Sequence, residues 1–374
     1  MTDWSAPESD VLATIRDTLE SGDRAALATI IDVEGSAYRR PGAKMLVRED
    51  GSGIGHITAG CLEDEVERLS TGVLDSGEPI VETYDLRPDG EDDVWGLGVG
   101  CNGIIDVLLE PLDERYREVV DRYEAGEDVG VLTVVDGDDA ALGSRAYYHP
   151  ESENFEGDVP ADVLERLRDV TAELTNRGGA DTYEVDGLTV FVDGIAAPDD
   201  LVVVGSGPDV GPIAELGSNV GFRVTVVGFR GANATEERFP DAETVISTRP
   251  SEIRNAVGFD ADTYVVVATH NFVDDRLAID ELLQTDVPYV GLMGPRERFD
   301  EMLEEFDAEG RTFTEAELEA LYTPVGLDLG SGSPHGIATS IVSEVLAVAN
   351  DREPRHLKDR EGRIHDRVEL VPED

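Results

Sequence analysis

The stretch LVVVGSGPDVG, residues 201–211, decides how the second half of this chain folds. Four apolar residues run without alternation, the pattern of a strand buried on both faces, as in a parallel sheet. Gly205 and Gly207 follow directly, and a helix is predicted after them. Strand, glycine turn and helix in that order let backbone N–H groups face an anion. The spacing departs from G-x-G-x-x-G: Val210 holds the third glycine position and Gly211 comes one residue late. A dinucleotide site also calls for an acid at the end of the second strand. That strand ends VTVVGFR, with Gly228 at the acid's position and Arg230 two residues on. A guanidinium suits a phosphate better than a pair of hydroxyls. Two readings stand: nucleotide or other phosphate binding, or a turn that only packs helix on sheet.

Outward from this turn, apolar strands alternate with helices. Strands are predicted at 201–204, 223–227, 263–268 and 289–293, with helices from the glycine turn to Asn219 and over 275–284. This is the grammar of βαβ units, and it predicts a doubly wound domain over residues 199–350. Its strand ends are polar. VVVATHNFVDD puts His270, Asn271, Asp274 and Asp275 after one strand, and GLMGPRERF puts Arg296 and Arg298 after the next. Ligands of open α/β sheets sit at such carboxyl ends, so His270 and Arg296 are predicted to share a crevice with the Gly205 turn. Helix capping by His270 and surface ion pairing by the arginines are the plainer alternatives. In PVGLDLGSGSPHGIATSIVSEVLAVAN, Ser333 is a good N-cap and Pro334 a good first helical residue. The apolar face Ile337, Ala338, Ile341, Val342, Val345 and Leu346 predicts a largely buried helix. Gly330-Ser331-Gly332 before it is either a second anion cradle or a plain cap. Residues 351–374 form a charged tail.

Residues 1–198 read as an α+β domain or two closely packed lobes, with no visible internal repeat. Helices are predicted over 10–21, 61–75, 111–126 and 160–177. Strands are predicted over 25–32, 43–48, 53–58, 80–84, 104–109, 129–135 and 141–147. The segments 181–185 and 188–192 form a hairpin through Asp186-Gly187. GSAYRRPGAKMLV gathers Arg39, Arg40 and Lys44, a basic cluster suited either to an anionic ligand or to salt bridges. The chain has two cysteines. Cys61, in ITAGCLEDEVERL, is placed near a helix start, and Cys101 sits in the tight turn GLGVGCNG. Both are candidates for small buried turn residues or for reactive thiols. With His56 they make a poor zinc set, so no permanent metal site is expected.

Acidic residues number 82 against 30 basic ones, a formal net charge of −52, and Lys44 and Lys358 are the only lysines. The excess is spread over every segment and reads as adaptation to molar salt, where a Debye length near ~3 Å screens self-repulsion. With no basic patch, nucleic-acid binding is not expected. No apolar run approaches a membrane span and no signal peptide is visible, so a cytoplasmic protein is expected.

Several of these stretches together resemble the XdhC/CoxI family. GSAYRRPGAKMLV, GHITAGCLEDEV and WGLGVGCNGIIDVLLEP are similar to its amino-terminal signature. LVVVGSGPDVGPIAELGSNVGFRVTVV, VVVATHNFVDD, YVGLMGPRERF and PVGLDLGSGSPHGIATSIVSEVLA resemble its Rossmann-like carboxyl-terminal domain. The order agrees over most of residues 10–350, as in a salt-adapted, haloarchaeal-type member. The resemblance implies a maturation chaperone that binds a molybdopterin-type molybdenum cofactor. It implies that the chaperone protects this cofactor and delivers it to a xanthine dehydrogenase- or carbon monoxide dehydrogenase-type molybdenum hydroxylase. It also implies a cysteine desulfurase partner and self-association, as a homodimer. Gly205, Gly207, Arg230, His270, Arg296, Arg40 and Lys44 are then the candidate cofactor-binding residues, with Cys101 and Cys61 as candidate contacts to molybdenum or sulfur. Gly228, where many relatives carry an acid, and Asn102, where glycine is common, depart from the pattern. An NAD(P)-dependent oxidoreductase and a non-catalytic scaffold for a molybdenum hydroxylase are the alternatives.

Overall fold

The computed structural model describes residues 6–87 and 102–359. Cys101 and residues 360–374 of the charged tail lie outside the described residues. The chain divides into two compact units between Ala197 and Pro198.

The first unit holds two five-stranded antiparallel sheets. The first sheet contains β1 (Ala25–Ser36), β2 (Lys44–Arg48), β3 (Gly53–Gly55), β4 (Ile80–Asp85) and β5 (Asn102–Pro111), in the order β3-β2-β1-β5-β4. The second contains β6 (Val129–Gly137), β7 (Arg145–His149), β8 (Asn154–Gly157), β9 (Ala180–Val185) and β10 (Leu188–Ile195), in the order β8-β7-β6-β10-β9. Helix α1 (Glu8–Ser21) precedes the first set and α2 (Glu63–Ser76) interrupts it. Helix α3 (Arg117–Ala125) precedes the second set, and α4 (Ala161–Arg166) with α5 (Arg168–Asn176) interrupts that one.

The connectivity therefore occurs twice, and this corrects the expectation of no internal repeat. The correspondence extends to single residues. Thr29 stands opposite Lys44 and Leu27 opposite Glu110, as Thr133 stands opposite Arg145 and Val131 opposite Asp193. The ladder between β1 and β5 skips Ile31, and that between β6 and β10 skips Val135. These two bulge residues pack together with Leu108 and Phe191 in one buried cluster. Sequence resemblance is not needed to preserve such a plan, because a half-buried strand asks only for apolar alternation.

Alternation builds the layers. Ala26, Ala28 and Ile30 of β1 pack in a core with Val66 and Val73 of α2. Leu27 lies instead in a cluster with Val129, Val131 and Ile195 of the second sheet, joined by Val11 and Ile15 of α1 and Val119 and Val120 of α3. Leu132, Val190 and Val192 pack with Val163 of α4 and Val170 of α5. The sheets thus share an interior, and each carries helices on its other face. Asp186 and Gly187 both have positive φ, 51° and 83°, as a two-residue I′ hairpin requires.

Several local expectations shift. Pro111 ends β5 rather than opening a helix; Asp113 then caps a short 3-10 turn that leads into α3. The predicted helix over 160–177 breaks at Leu167. Strand β8 lies between the predicted strand at 141–147 and the predicted helix at 160–177, where no strand is expected.

The second unit is a six-stranded parallel sheet. It contains β11 (Asp200–Val204), β12 (Arg223–Gly228), β13 (Thr244–Ser247), β14 (Thr263–Val267), β15 (Tyr289–Leu292) and β16 (Leu321–Tyr322), in the order β13-β12-β11-β14-β15-β16. This is the Rossmann order, with the switch of direction between β11 and β14. Helices α6 (Val210–Asn219) and α11 (Pro334–Ala349) cover one face; α7 (Ile253–Ala256), α8 (Phe272–Leu282) and α9 (Arg296–Ala308) cover the other. A short helix, α10 (Glu315–Glu319), precedes β16. Helix α11 is less enclosed than its apolar face predicts: Ala338, Ile341, Val342 and Val345 are buried, whereas Ile337 and Leu346 are exposed. No helix among the described residues is long and apolar enough to cross a membrane.

Candidate functional site

In the first unit, strand directions carry the motif segments to one place. β2 runs antiparallel to β1 and β3 antiparallel to β2, so β1 and β3 end on the same side. β5 begins on that side, with Asn102 opposite Ser36, and β4 ends there. The β1–β2 loop and the segment between β3 and α2 therefore meet at one end of the first sheet, the end at which Asn102 opens β5.

The segment between β3 and α2 is organised by Glu63, a residue not among those singled out from the sequence. Its carboxylate is 1% exposed. It accepts from the backbone N–H of Thr58 at 2.8 Å, the hydroxyl of Thr58 at 2.6 Å and the N–H of Leu62 at 3.1 Å. The Thr58 hydroxyl in turn accepts from the N–H of Cys61 at 3.0 Å. Gly60, at φ 96°, makes the reversal that L side chains resist. Cys61 is held half-buried on this turn, and helix α2 starts two residues later than expected. The structural logic of GCLE is thus a turn tied by the carboxylate behind the cysteine.

The basic cluster divides. Lys44 was expected to hold an anion. The structure corrects this: its ammonium lies 2.7 Å from Asp193 and 2.8 Å from the Gly42 carbonyl, and the two charged side chains are buried, at 4% and 8% exposure. Desolvation draws its pKa down, but Asp193 and the neighbouring acids outweigh this and the net shift is upward. Arg39 pairs with Glu8 at 2.8 Å. Arg40 differs from both. It makes no ion pair among the described residues, and partial desolvation lowers its pKa with no acid to offset it. The ring of Tyr38, 63% exposed, lies 5.8 Å from that of His56, whose buried Nδ1 has no hydrogen-bond partner.

In the second unit, His270 does reach the Gly205 turn. Its Nε2 lies 2.7 Å from Asp209 Oδ2, and a Cβ on Gly207 would stand 3.6 Å from its ring. His270 has φ 58°, a left-handed backbone that histidine tolerates but does not favour. Capping of α8 falls to Asn271, whose side chain accepts from the N–H of Asp274 at 3.0 Å. Arg230, expected to face a phosphate, is paired with Asp274 at 2.8 Å. Arg298 pairs with buried Asp275, which also takes the Thr269 hydroxyl. Arg296 opens α9 beyond β15, two strands from β11; it is exposed and makes no ion pair among the described residues.

Two features oppose a dinucleotide here. The carboxylate of Asp209 stands at the start of α6, where an anion would sit, and a Cβ on Gly207 would come within 2.5 Å of its Oδ1. A Cβ on Gly228 would meet the Ala234 side chain at 2.5 Å. The chain after β12 thus folds over the place of the ribose-binding acid, which explains the glycine there.

Comparison with known proteins agrees with this architecture. Residues 18–85 match the family model described as the XdhC and CoxI family, and residues 201–345 match the XdhC Rossmann domain. The chain is 32% identical over 333 residues to a Bacillus subtilis protein described as a probable xanthine dehydrogenase subunit, covering 88% of this chain and 94% of the relative. It is 21% identical over 356 residues to the molybdenum cofactor insertion chaperone PaoD of Escherichia coli, covering 92% of each. A crystal structure described as a xanthine dehydrogenase from Bacillus halodurans superposes with a TM-score of 0.75 at 30% identity, covering 92% of this chain and 96% of that one.

Proposed function

The chain belongs to the XdhC and CoxI family, and from that premise we propose that it is an accessory protein that holds a molybdenum–pterin cofactor. It does so on behalf of a xanthine dehydrogenase-type molybdenum hydroxylase. The observation that carries this reading is the meeting of two motif segments, the β1–β2 loop and the Cys61 turn, at the end of the first sheet where Asn102 opens β5. The likeness to a cofactor insertion chaperone supports it. The residues present suit the group: a half-buried thiol for soft chemistry, and Arg40, without an acid partner among the described residues, for an anion. When bound, the cofactor supplies molybdenum and sulfur chemistry to its client; the chain's part is to hold and shield it.

The finer steps follow the same reading. The cofactor is protected and sulfurated through a cysteine desulfurase, then delivered to the apoenzyme, with the chaperone self-associating as a homodimer. Cys61 and Cys101 are the proposed contacts. An NAD(P)-dependent oxidoreductase is disfavoured by Asp209 and Ala234 at the glycine turn.

Purification of the full chain at molar KCl from cells making the cofactor tests this, with molybdenum and pterin quantified on the protein. We expect both, in near-equal amounts, and their loss in Cys61→Ala with folding retained. A chain free of both that still activates a hydroxylase apoenzyme would instead be a non-catalytic scaffold.

A further inference from the structure

The duplicated plan of the first unit offers an internal comparison. From Thr29 to Lys44 the chain advances fifteen residues, and from the equivalent Thr133 to Arg145 only twelve. The two loops close alike. Gly42 and Gly143 both have positive φ, at 95° and 82°, and donate to the carbonyls of the equivalent residues Ile30 and Val134, each at 2.9 Å. The three extra residues lengthen β1, which pairs with β5 as far as Ser36, whereas β6 pairs with β10 only as far as Gly137; beyond them the two tips are equal in length and differ in chemistry, reading AYRRP in the first and DDAAL in the second. The segment between β3 and α2 is likewise longer than the one between β8 and α4.

What the first tip and its neighbour His56 present is costly to leave in water or without partners. Tyr38 exposes most of a large ring. His56 beside it keeps a buried Nδ1 without a partner, an arrangement that folding alone disfavours. Arg40 makes no ion pair among the described residues, although the chain carries 82 acids. The equivalent loop of the second sheet has no aromatic residue and no base.

We propose that Tyr38, His56 and Arg40 form a binding site for a planar heterocycle carrying an anionic group. The exposed Tyr38 ring stacks on the heterocycle, His56 Nδ1 meets its polar edge and Arg40 takes the anion. This rests on the reading of the chain as a pterin-cofactor holder and adds which residues recognise the ring and its phosphate. Molar salt removes long-range steering, so recognition depends on contact geometry of this kind.

The test uses the full chain at molar KCl and two probes: pterin cofactor released from a molybdenum hydroxylase, and inorganic phosphate. Binding is read by fluorescence titration, with circular dichroism on every variant. Tyr38→Ala and Arg40→Gln are each expected to weaken cofactor binding by roughly tenfold or more. Tyr38→Phe, which keeps the ring, is expected to stay within about twofold. Leu142→Ala, at the exposed tip of the equivalent second loop, should change nothing. Inorganic phosphate should compete with the cofactor in the wild type and lose that effect in Arg40→Gln. Wild-type affinity in Tyr38→Ala and Arg40→Gln overturns the site while leaving the cofactor function standing. Failure of the wild type to bind the cofactor overturns the function itself.

Discussion

The ammonium of Lys44 and the carboxylate of Asp193 meet at 2.7 Å in the interior shared by the two sheets of the first unit. Arg145 and Glu110 form the matching buried pair at the equivalent positions, with the basic residue now on the second sheet and the acid on the first. Each pair fastens one copy of the repeated plan to the other. A charge this deep is tolerable only when its partner and hydrogen bonds are in place. Lys44 has both, through Asp193 and the Gly42 carbonyl, and Arg145 adds the Thr133 hydroxyl.

Removing one partner should therefore cost more than removing both. Lys44→Met is expected to destabilise the protein by about 3–5 kcal/mol, because it strands Asp193. The double variant Lys44→Met/Asp193→Leu should recover most of that. Urea denaturation in molar KCl measures both, and a single-variant cost below about 1 kcal/mol would sink the idea.

The same pair carries a pH signature. Desolvation acts to lower the Lys44 pKa, but Asp193 prevails, so the folded value lies above the unfolded one near ~10.4. The stabilisation is then complete below about pH 10.4 and declines as pH rises toward the folded value. The gap in stability between wild type and Lys44→Met should be smaller at about pH 11 than at about pH 8. A gap that widens with pH would mean that Lys44 is not raised.

Glu63 should matter to the Cys61 turn through hydrogen bonding rather than through charge. Glu63→Gln turns one acceptor oxygen into a donor facing the donors of Thr58 and Leu62. A loss of about 1–3 kcal/mol is expected. Hydrogen exchange at the Cys61 and Leu62 amides should accelerate before the rest of the sheet loosens. Unchanged exchange at these two amides would show that the turn stands without the carboxylate.

The glycine turn of the second unit should reject dinucleotides. With Asp209 at the start of α6 and Ala234 across from Gly228, the wild type is expected to show no saturable binding of NAD(P) in calorimetric titration. Asp209→Asn removes the resident charge and should raise affinity for simple phosphates. Saturation of the wild type at micromolar NAD(P) would restore the oxidoreductase reading.

The sequence by itself determined the elements whose signals are local. The unbroken apolar run at 201–204 reads as a buried parallel strand, Asp186-Gly187 reads as a hairpin, and Ser333 followed by Pro334 reads as a helix start. All three stand in the structure, because each depends on a few neighbouring residues. What only the tertiary structure decided depends on partners far apart in the chain. Arg39, Arg40 and Lys44 look like one basic cluster in sequence. The strand at Lys44 turns its side chain inward to an acid 149 residues away, Arg39 goes to Glu8, and Arg40 keeps its charge unpaired among the described residues. The duplication was invisible for a related reason. Register and bulge positions are set by cross-strand packing, which many apolar sequences satisfy equally, so the plan recurs where the letters do not.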